Sequence, residues 1–515
     1  MNIADSLRES ARRLPDKTAL LTPTDAISYR ELDRRADGAA GMLLASGLRP
    51  GDRLALMVGN VTALVEAFYG ALRAGLVVVP ADVESTAREV AHVLSDSGAR
   101  GAVVQASARE TFEAARARAG GAVQLVWAVE RGQGGPADQR LWRAAVDSAA
   151  GTPTGPPAAA ERPGEAGVPA DLALLAYTSG STGLPKGAQV SHANLQANQR
   201  QLSQTRVQID DSDVVLCTVP LFHLYALGVG LVHPLAHGAC VLLLERFEPA
   251  AALAQIAARE VSVVVAAPPA YLAWSQLADD QRSLLASLRA GVSGAAALPP
   301  AVCEHFRDTL AIPLWEGYGL TETGPVLTTT AMGSSPVPGS VGRPLPEVQV
   351  RLLDDDGDPV GRGELGEVVV RGPNVFSGYW RQPEATAEVL GPDGWFRTGD
   401  LGYVDRGNLY LVDRKRDLIV VSGFNVYPRE VEDVLLGHPA VAEAAVVGLP
   451  HPGAGEAVKA VVVARPGTEL HVEELLVHCR AELARFKCPS VVEIADRLPH
   501  LPSGKVKRAE LRAPR

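Results

Sequence analysis

The sequence predicts an α/β protein of more than one domain, with a smaller α+β portion at its C-terminal end. Three observations lead there. Over residues 27–129, and again over 172–266, short apolar runs alternate with amphipathic stretches. Residues 339–412 switch to period-two strands broken by turns, and the pattern changes once more after Asp413. A chain of 515 residues also exceeds what one hydrophobic core organises.

In chain order, residues 53–58 and 76–80 form buried strands, with a helix over 63–74 between them. Strands apolar on both faces and joined by helices belong to parallel sheets. Residues 148–171, rich in Ala, Gly and Pro, form a surface loop. Further strands lie near 172–177, 214–219, 241–244 and 261–266. Strands 348–353 and 366–371 enclose a turn at 354–358. Its three consecutive aspartates lack the spacing and closing Glu of a calcium loop, so a solvated turn is expected. Beyond Asp413, helices are expected over 426–436 and 472–483, and strands over 441–448 and 457–464. These make a compact domain of about 100 residues. The charged run 413–417 suits a hinge exposed to water, dividing the chain into 1–412 and 413–515.

Apolar residues make up 47% and charged residues 21%, as in an ordinary soluble chain. The formal net charge of −10 argues against a broad nucleic-acid surface. Five cysteines without C-x-x-C spacing argue against zinc sites and a disulfide framework, and suit a reducing cytoplasm. The start of the chain has no uncharged apolar core of a secretory signal. Residues 224–244 carry no Lys, Arg, Asp or Glu, and about 20 such residues suffice to span a bilayer. His233, Pro234, His237 and several glycines favour a buried helix followed by a buried strand over 239–244 instead, with no membrane span.

The strongest local signal follows the apolar strand 172–176: residues 177–187 read YTSGSTGLPKG. Gly180 and Gly183 let backbone N–H groups turn toward an anion. Thr178, Ser179, Ser181 and Thr182 add hydroxyl donors, and Lys186 supplies charge. A polyphosphate needs that combination. The Walker spacing G-x-x-x-x-G-K-[ST] is not met, because Gly187 follows the lysine.

YTSGSTGLPKG resembles the phosphate-loop signature of the adenylate-forming superfamily, which includes acyl-CoA synthetases, stand-alone adenylation domains and luciferases. Further motifs of that family follow in order: PLFH at 220–223, GYGLTETGP at 317–325, WFRTGDLG at 395–402, DRKRDLIVVSGFNVYP at 413–428 and LPSGKVKR at 501–508. The resemblance covers essentially the whole chain. It implies a large N-terminal portion of two α/β subdomains plus a β-barrel, and a small mobile C-terminal lid. It also implies an acid–thiol ligase with two half-reactions: attack of a carboxylate on the α-phosphate of ATP, then transfer of the acyl group from AMP to a second nucleophile.

The resemblance carries roles residue by residue. Tyr318 offers a flat face to adenine, with Glu316, Gly317 and Gly319 beside it. Thr321 contacts the α-phosphate, and Glu322 is the hard oxygen ligand for Mg2+. The small residues Gly294, Ala295 and Ala296 leave room for the base. Asp400 accepts from both ribose hydroxyls, and Arg414 is a second ribose or phosphate contact. Lys505, delivered by the lid, bridges the carboxylate and α-phosphate oxygens. Arg416 matches the pivot, and Ser422, Gly423 and Phe424 match the wall of the pantetheine tunnel.

The acid pocket is expected to draw on Phe222, His223, Tyr225, Gly228, Ala267, Leu320 and Val326, with Gly294 and Ala295 shared between it and the base. No Asp stands there to pair an α-ammonium and no Arg to pair a second carboxylate, so an apolar monocarboxylic acid is expected, either fatty or aryl. FHLYAL also resembles hydroxycinnamate–CoA ligases. His223 is a gate or pocket wall rather than a base, since a carboxylate is already ionised at pH 7. Residues 413–428 carry no insertion, which favours CoA as acceptor. A carrier protein's phosphopantetheine is the alternative, and a homodimer is compatible with the family.

Overall fold

The computed structural model describes residues 2–121, 123–129, 140–149, 169, 171–178, 185–414, 417–421, 424–451, 455–483, 485–500 and 505–512. The fold is mixed α/β, with a large N-terminal and a smaller C-terminal portion. Two compact units emerge: Met1–Gln349 with Arg371–Gly394, and Val350–Val370 with Trp395–Arg515.

The first unit is built on two sheets. A seven-stranded sheet runs in the order Arg140–Leu141, Leu125–Val129, Gly101–Gln105, Arg53–Met57, Val77–Pro80, Leu172–Thr178 and Lys186–Ser191. All neighbours are parallel except the last pair. Arg53–Met57 and Gly101–Gln105 are buried along their whole length, as central strands covered on both faces require. The helices Tyr29–Ala45 and Thr62–Arg73 cross so closely at Gly70 that an added Cβ would press on Ala39.

A nine-stranded sheet carries Arg343–Pro344, Thr328–Thr329, Leu314–Tyr318, Ala290–Ser293, Val263–Ala266, Val214–Cys217, Cys240–Leu243, Thr18–Leu21 and Ala26–Ser28 in that order. Its interior is parallel and its edges antiparallel. Leu216, Leu242, Val264, Trp274, Phe306 and Leu314 share one core. The uncharged stretch 224–244 becomes the π-helical turns Ala226–Val232, the short helix His233–His237 and the buried strand Cys240–Leu243. Among the described residues no helix is long and apolar enough to cross a membrane.

The second unit holds an antiparallel sheet of Gln349–Leu353, Gly366–Arg371, Phe396–Asp405 and Asn408–Arg414. The acidic turn closes on itself, Asp354 accepting the N–H groups of Asp356 and Asp358 at 3.0 and 2.9 Å. A five-stranded sheet follows, with Phe424–Val426, Ile419–Val421, Gly455–Ala464 and Val441–His451 in order and Val491–Ile494 on Gly455–Ala464. The helices Pro428–Leu436 and Val472–Glu482 pack on it through Val431, Leu435, Leu475 and Cys479. The helix expected from residue 426 begins at Pro428, and Val426 ends a strand. Proline at the first helical position has the right φ and lacks an N–H that would go unused there. Most of the expected loop 148–171 lies outside the described residues.

Candidate active site

Thr178 ends a buried strand and Lys186 begins the next, and the two are register partners across the antiparallel pair. Ser179, Gly180, Ser181, Thr182 and Gly183 lie outside the described residues. The Lys186 ammonium stands 5.2 Å from the centroid of the Tyr379 ring. The Tyr379 hydroxyl donates to Glu322 Oε1 at 2.9 Å. Lys186 and Glu322, 136 positions apart by their numbers (322 − 186), thus meet on one aromatic side chain.

Tyr379 was not among the residues expected from sequence. Its segment lies against the strand Lys186–Ser191: Gln189 N–H donates to Gly378 O at 3.0 Å and Trp380 N–H to Gly187 O at 2.8 Å. Burial pushes the Tyr379 phenol well above its ordinary range, and the Glu322 charge pushes the same way, so the hydroxyl keeps its proton. The one sequence signal was the pairing of two aromatics after Gly378, which apolar periodicity alone does not single out.

Glu322 sits buried in the single turn Thr321–Thr323. That turn is held from several sides. Leu320 N–H donates to Thr323 Oγ1 at 2.8 Å, Phe376 N–H to Glu322 O at 2.8 Å, and the Asn374 amide to Thr323 O at 2.7 Å. Asn194 and Asn198, on the helix His192–Leu202, donate to Val375 O and Val326 O, both at 2.8 Å. These buried amides fix the loop on which Glu322 is mounted. Gly319 is required there, because any Cβ would overlap the Pro325 carbonyl.

The strand Leu314–Tyr318 carries Glu316, Gly317 and Tyr318. The Glu316 carboxylate accepts the Leu298 N–H at 3.1 Å, tying down the loop that bears Gly294, Ala295 and Ala296. Ala295 holds φ at +68°, a left-handed conformation that a residue with a Cβ adopts at a cost of roughly 1–2 kcal/mol. Gly294 faces Tyr225, and a Cβ there would lie 2.7 Å from the ring. The Tyr225 hydroxyl reaches the carbonyls of Val292 and Ala266 at 3.1 and 3.4 Å, on adjacent strands. The Phe222 and His223 rings lie against each other, tilted by 42° with centroids 4.1 Å apart. Asn60 anchors the segment before them, donating to Val219 O at 3.2 Å and accepting from Leu221 N at 2.8 Å. Gly228 abuts Pro325, next to Val326, and Ala267 precedes the helix Pro268–Ser275. Tyr225 with Gly294, and Gly228 with the loop of Val326, are therefore brought together.

In the second unit, Asp400 is buried and pairs in register with Arg414 across two strands. The side chain of Arg414, with Arg416, Ser422, Gly423 and the side chain of Phe424, lies outside the described residues. Lys505 is exposed and adjoins a backbone bridge between His500 and Val506. The chain beyond it is anchored. Arg508 pairs with Glu432 at 2.7 Å and donates to Val446 O at 2.5 Å, and Lys459 donates to Leu511 O at 3.0 Å.

The donor set suits magnesium with a nucleotide. No group of three His, Cys, Asp or Glu side chains forms a metal cage among the described residues. One buried carboxylate beside a lysine is how Mg2+ is bound when phosphate oxygens supply the remaining contacts.

Residues 7–380 match the AMP-binding enzyme family, and residues 430–505 match the AMP-binding enzyme C-terminal domain. The chain belongs to this family. It is 39% identical to a feruloyl-CoA synthase from Amycolatopsis sp over 505 residues, covering 98% of this chain and 96% of that one. It is 34% identical to a long-chain-fatty-acid–CoA ligase from Escherichia coli O157:H7 over 542 aligned positions, covering 99% and 94%. The ATP-bound crystal structure of MatB from Rhodopseudomonas palustris superposes with a TM-score of 0.88 at 33% identity, covering 99% of this chain and 98% of that one.

Proposed function

We propose that this protein is an ATP-dependent, AMP-forming acid–CoA ligase acting on an apolar monocarboxylic acid, fatty or aryl. The observation that carries the reading is the meeting of Lys186 and Glu322 at the end of the glycine-rich loop. The feruloyl-CoA synthase supports an aryl acid and the long-chain ligase a fatty acid.

In the first half-reaction a carboxylate oxygen attacks the α-phosphorus, and the bond to pyrophosphate breaks. In the second, a thiol attacks the acyl carbonyl and AMP leaves. Thr178 and Lys186 hold the phosphates, and Tyr318 stacks on adenine. Glu322 is the carboxylate for Mg2+, which neutralises phosphate charge when bound. Asp400 takes the ribose hydroxyls. Lys505 holds the acid carboxylate and α-phosphate oxygens together, two anions that otherwise repel. Tyr225, Gly294 and Gly228 shape the acid pocket, and none of the three offers the charged partner an amino or dicarboxylic acid would need.

In this reading the antiparallel strands before residue 412 belong to the barrel subdomain. Residues 413–515 are a mobile lid that pivots at 413–417 about Arg416. The uninterrupted stretch 413–428 favours CoA over a carrier protein.

The test is a pyrophosphate-release screen over fatty, cinnamic, benzoic, dicarboxylic and amino acids, with CoA, with a phosphopantetheinylated carrier protein, and with neither. Turnover of apolar acids with acyl-CoA as product is expected. Turnover of amino acids alone would overturn the pocket assignment, and no pyrophosphate from any acid would overturn the activity.

A further inference from the structure

Lys186 and Glu322 sit on separate elements, and residues 374–380 are strung between them. The backbone of that segment binds both sides. Phe376 N–H donates to Glu322 O and Trp380 N–H to Gly187 O, each at 2.8 Å, while Tyr379 bridges Ala188. The Tyr379 side chain repeats the connection, with its hydroxyl on Glu322 Oε1 at 2.9 Å and its ring 5.2 Å from the Lys186 ammonium. Phe376 packs edge-on against that ring at 5.0 Å, and Thr386 Oγ1 accepts the Tyr379 N–H at 2.9 Å, so the side chain is confined.

We propose that Tyr379 is a positioning residue for the adenylating site. Its hydroxyl fixes the Glu322 carboxylate for a divalent cation, and its ring holds the Lys186 ammonium until nucleotide phosphates claim it. The inference rests on the ligase reading above. The phenol engages Oε1 and restrains the carboxylate's rotation, and the remaining lone pairs of Glu322 would be the ones open to a cation. A metal that demands near-ideal octahedral geometry rewards a carboxylate already oriented. The lysine contact is of a different kind. A cation over an aromatic face is held weakly, and a polyphosphate displaces it. Tyr379 thus holds one group by its ring and the other by its hydroxyl in the resting site.

The two contacts separate by mutation. Tyr379→Phe keeps the ring, its packing and the lysine contact, and removes only the hydroxyl. Mn2+ binding in the presence of α,β-methylene-ATP, followed by electron paramagnetic resonance, is expected to weaken about tenfold, as loss of a hydrogen bond to a charged group implies. The Mg2+ concentration for half-maximal pyrophosphate release should rise in parallel, with the KM for the acid and the melting temperature nearly unchanged. Glu322→Gln should abolish the effect, so that adding Tyr379→Phe changes Mn2+ binding no further. Unaltered Mn2+ binding in Tyr379→Phe, or additive losses in the double variant, would overturn the role. If the wild-type chain turned over no acid, the ligase reading would fall, and the Mn2+ titration would still decide the part played by Tyr379.

Discussion

Gly294 and Tyr225 meet so closely that a Cβ on the glycine would sit 2.7 Å from the ring, and the ring cannot readily retreat. Its hydroxyl is tied to Val292 O at 3.1 Å and Ala266 O at 3.4 Å, on neighbouring strands. Swinging it away gives up hydrogen bonding worth about 1 kcal/mol, although Val292 O keeps the Tyr271 hydroxyl at 3.0 Å and Ala266 O keeps the Gly294 N–H at 3.2 Å. Gly294→Ala is therefore expected to lower kcat/KM for aryl acids about tenfold or more, chiefly through KM, while the KM for ATP stays within about twofold. Equal losses for both substrates would place the clash outside the acid pocket. Lys505 gives the opposite case, an exposed side chain outside the packed core. Lys505→Ala should shift stability by less than about 0.5 kcal/mol. It should abolish pyrophosphate release and leave thioester formation from a preformed acyl adenylate largely intact. Equal loss of both half-reactions in rapid-quench assays would reject the assigned role.

At the scale of elements, Asn60 shows how one sheet governs a loop of the other. It follows the strand Arg53–Met57 of the seven-stranded sheet, yet its buried amide holds Val219 O at 3.2 Å and Leu221 N at 2.8 Å, just before Phe222 and His223. Asn60→Ala leaves the buried Leu221 N–H without this acceptor and Val219 O with the weak Cys217 thiol, which costs about 1–3 kcal/mol. The melting temperature should fall by several degrees, and the KM for the acid should rise more than that for ATP. A variant with a lowered melting temperature and both KM values unchanged would show that the anchor is purely structural. Such links were not legible in the sequence, where Asn60 is one polar residue in a loop. The parallel strands were legible, because burial on both faces leaves unbroken apolar runs such as LALM and VVV. The strand Lys186–Ser191, reading KGAQVS, was not. Its polar residues carry no apolar run, and its pairing with Leu172–Thr178 decides its conformation.

Across the whole molecule, Glu322, Asp400 and Lys505 stand in motifs that the sequence shares with its family, and their proposed roles come from that resemblance. Tyr379 could not be named in that way, since its role depends on contacts 57 positions away at Glu322 and farther still at Lys186. Burial of titratable groups is equally a property of the finished fold, and it sets the response to acid. His233 is 2% exposed, and burial, with His237 adding to it, pushes its pKa down to about 3. His192 is shifted in the same direction by burial, its Nδ1 accepting the Ile3 N–H at 3.2 Å. An unfolded histidine titrates near 6.5. Between about 3 and 6.5 the unfolded chain therefore binds more protons at His233 than the folded chain does. The stability tied to His233 is present above 6.5 and lost as pH falls through that window, by at most about 1.4 kcal/mol per pH unit. Buried Glu66 and Glu432 act oppositely, because burial raises their pKa values and the stability they contribute is lost as pH rises. The total pH dependence mixes both signs, so a difference isolates the histidine. His233→Gln cannot charge, and it should lose less stability than the wild type between pH 7.5 and 5.0, even if it is less stable at pH 7.5. Urea unfolding of both proteins at the two pH values measures this, and identical losses would mean that His233 is not held neutral by the fold.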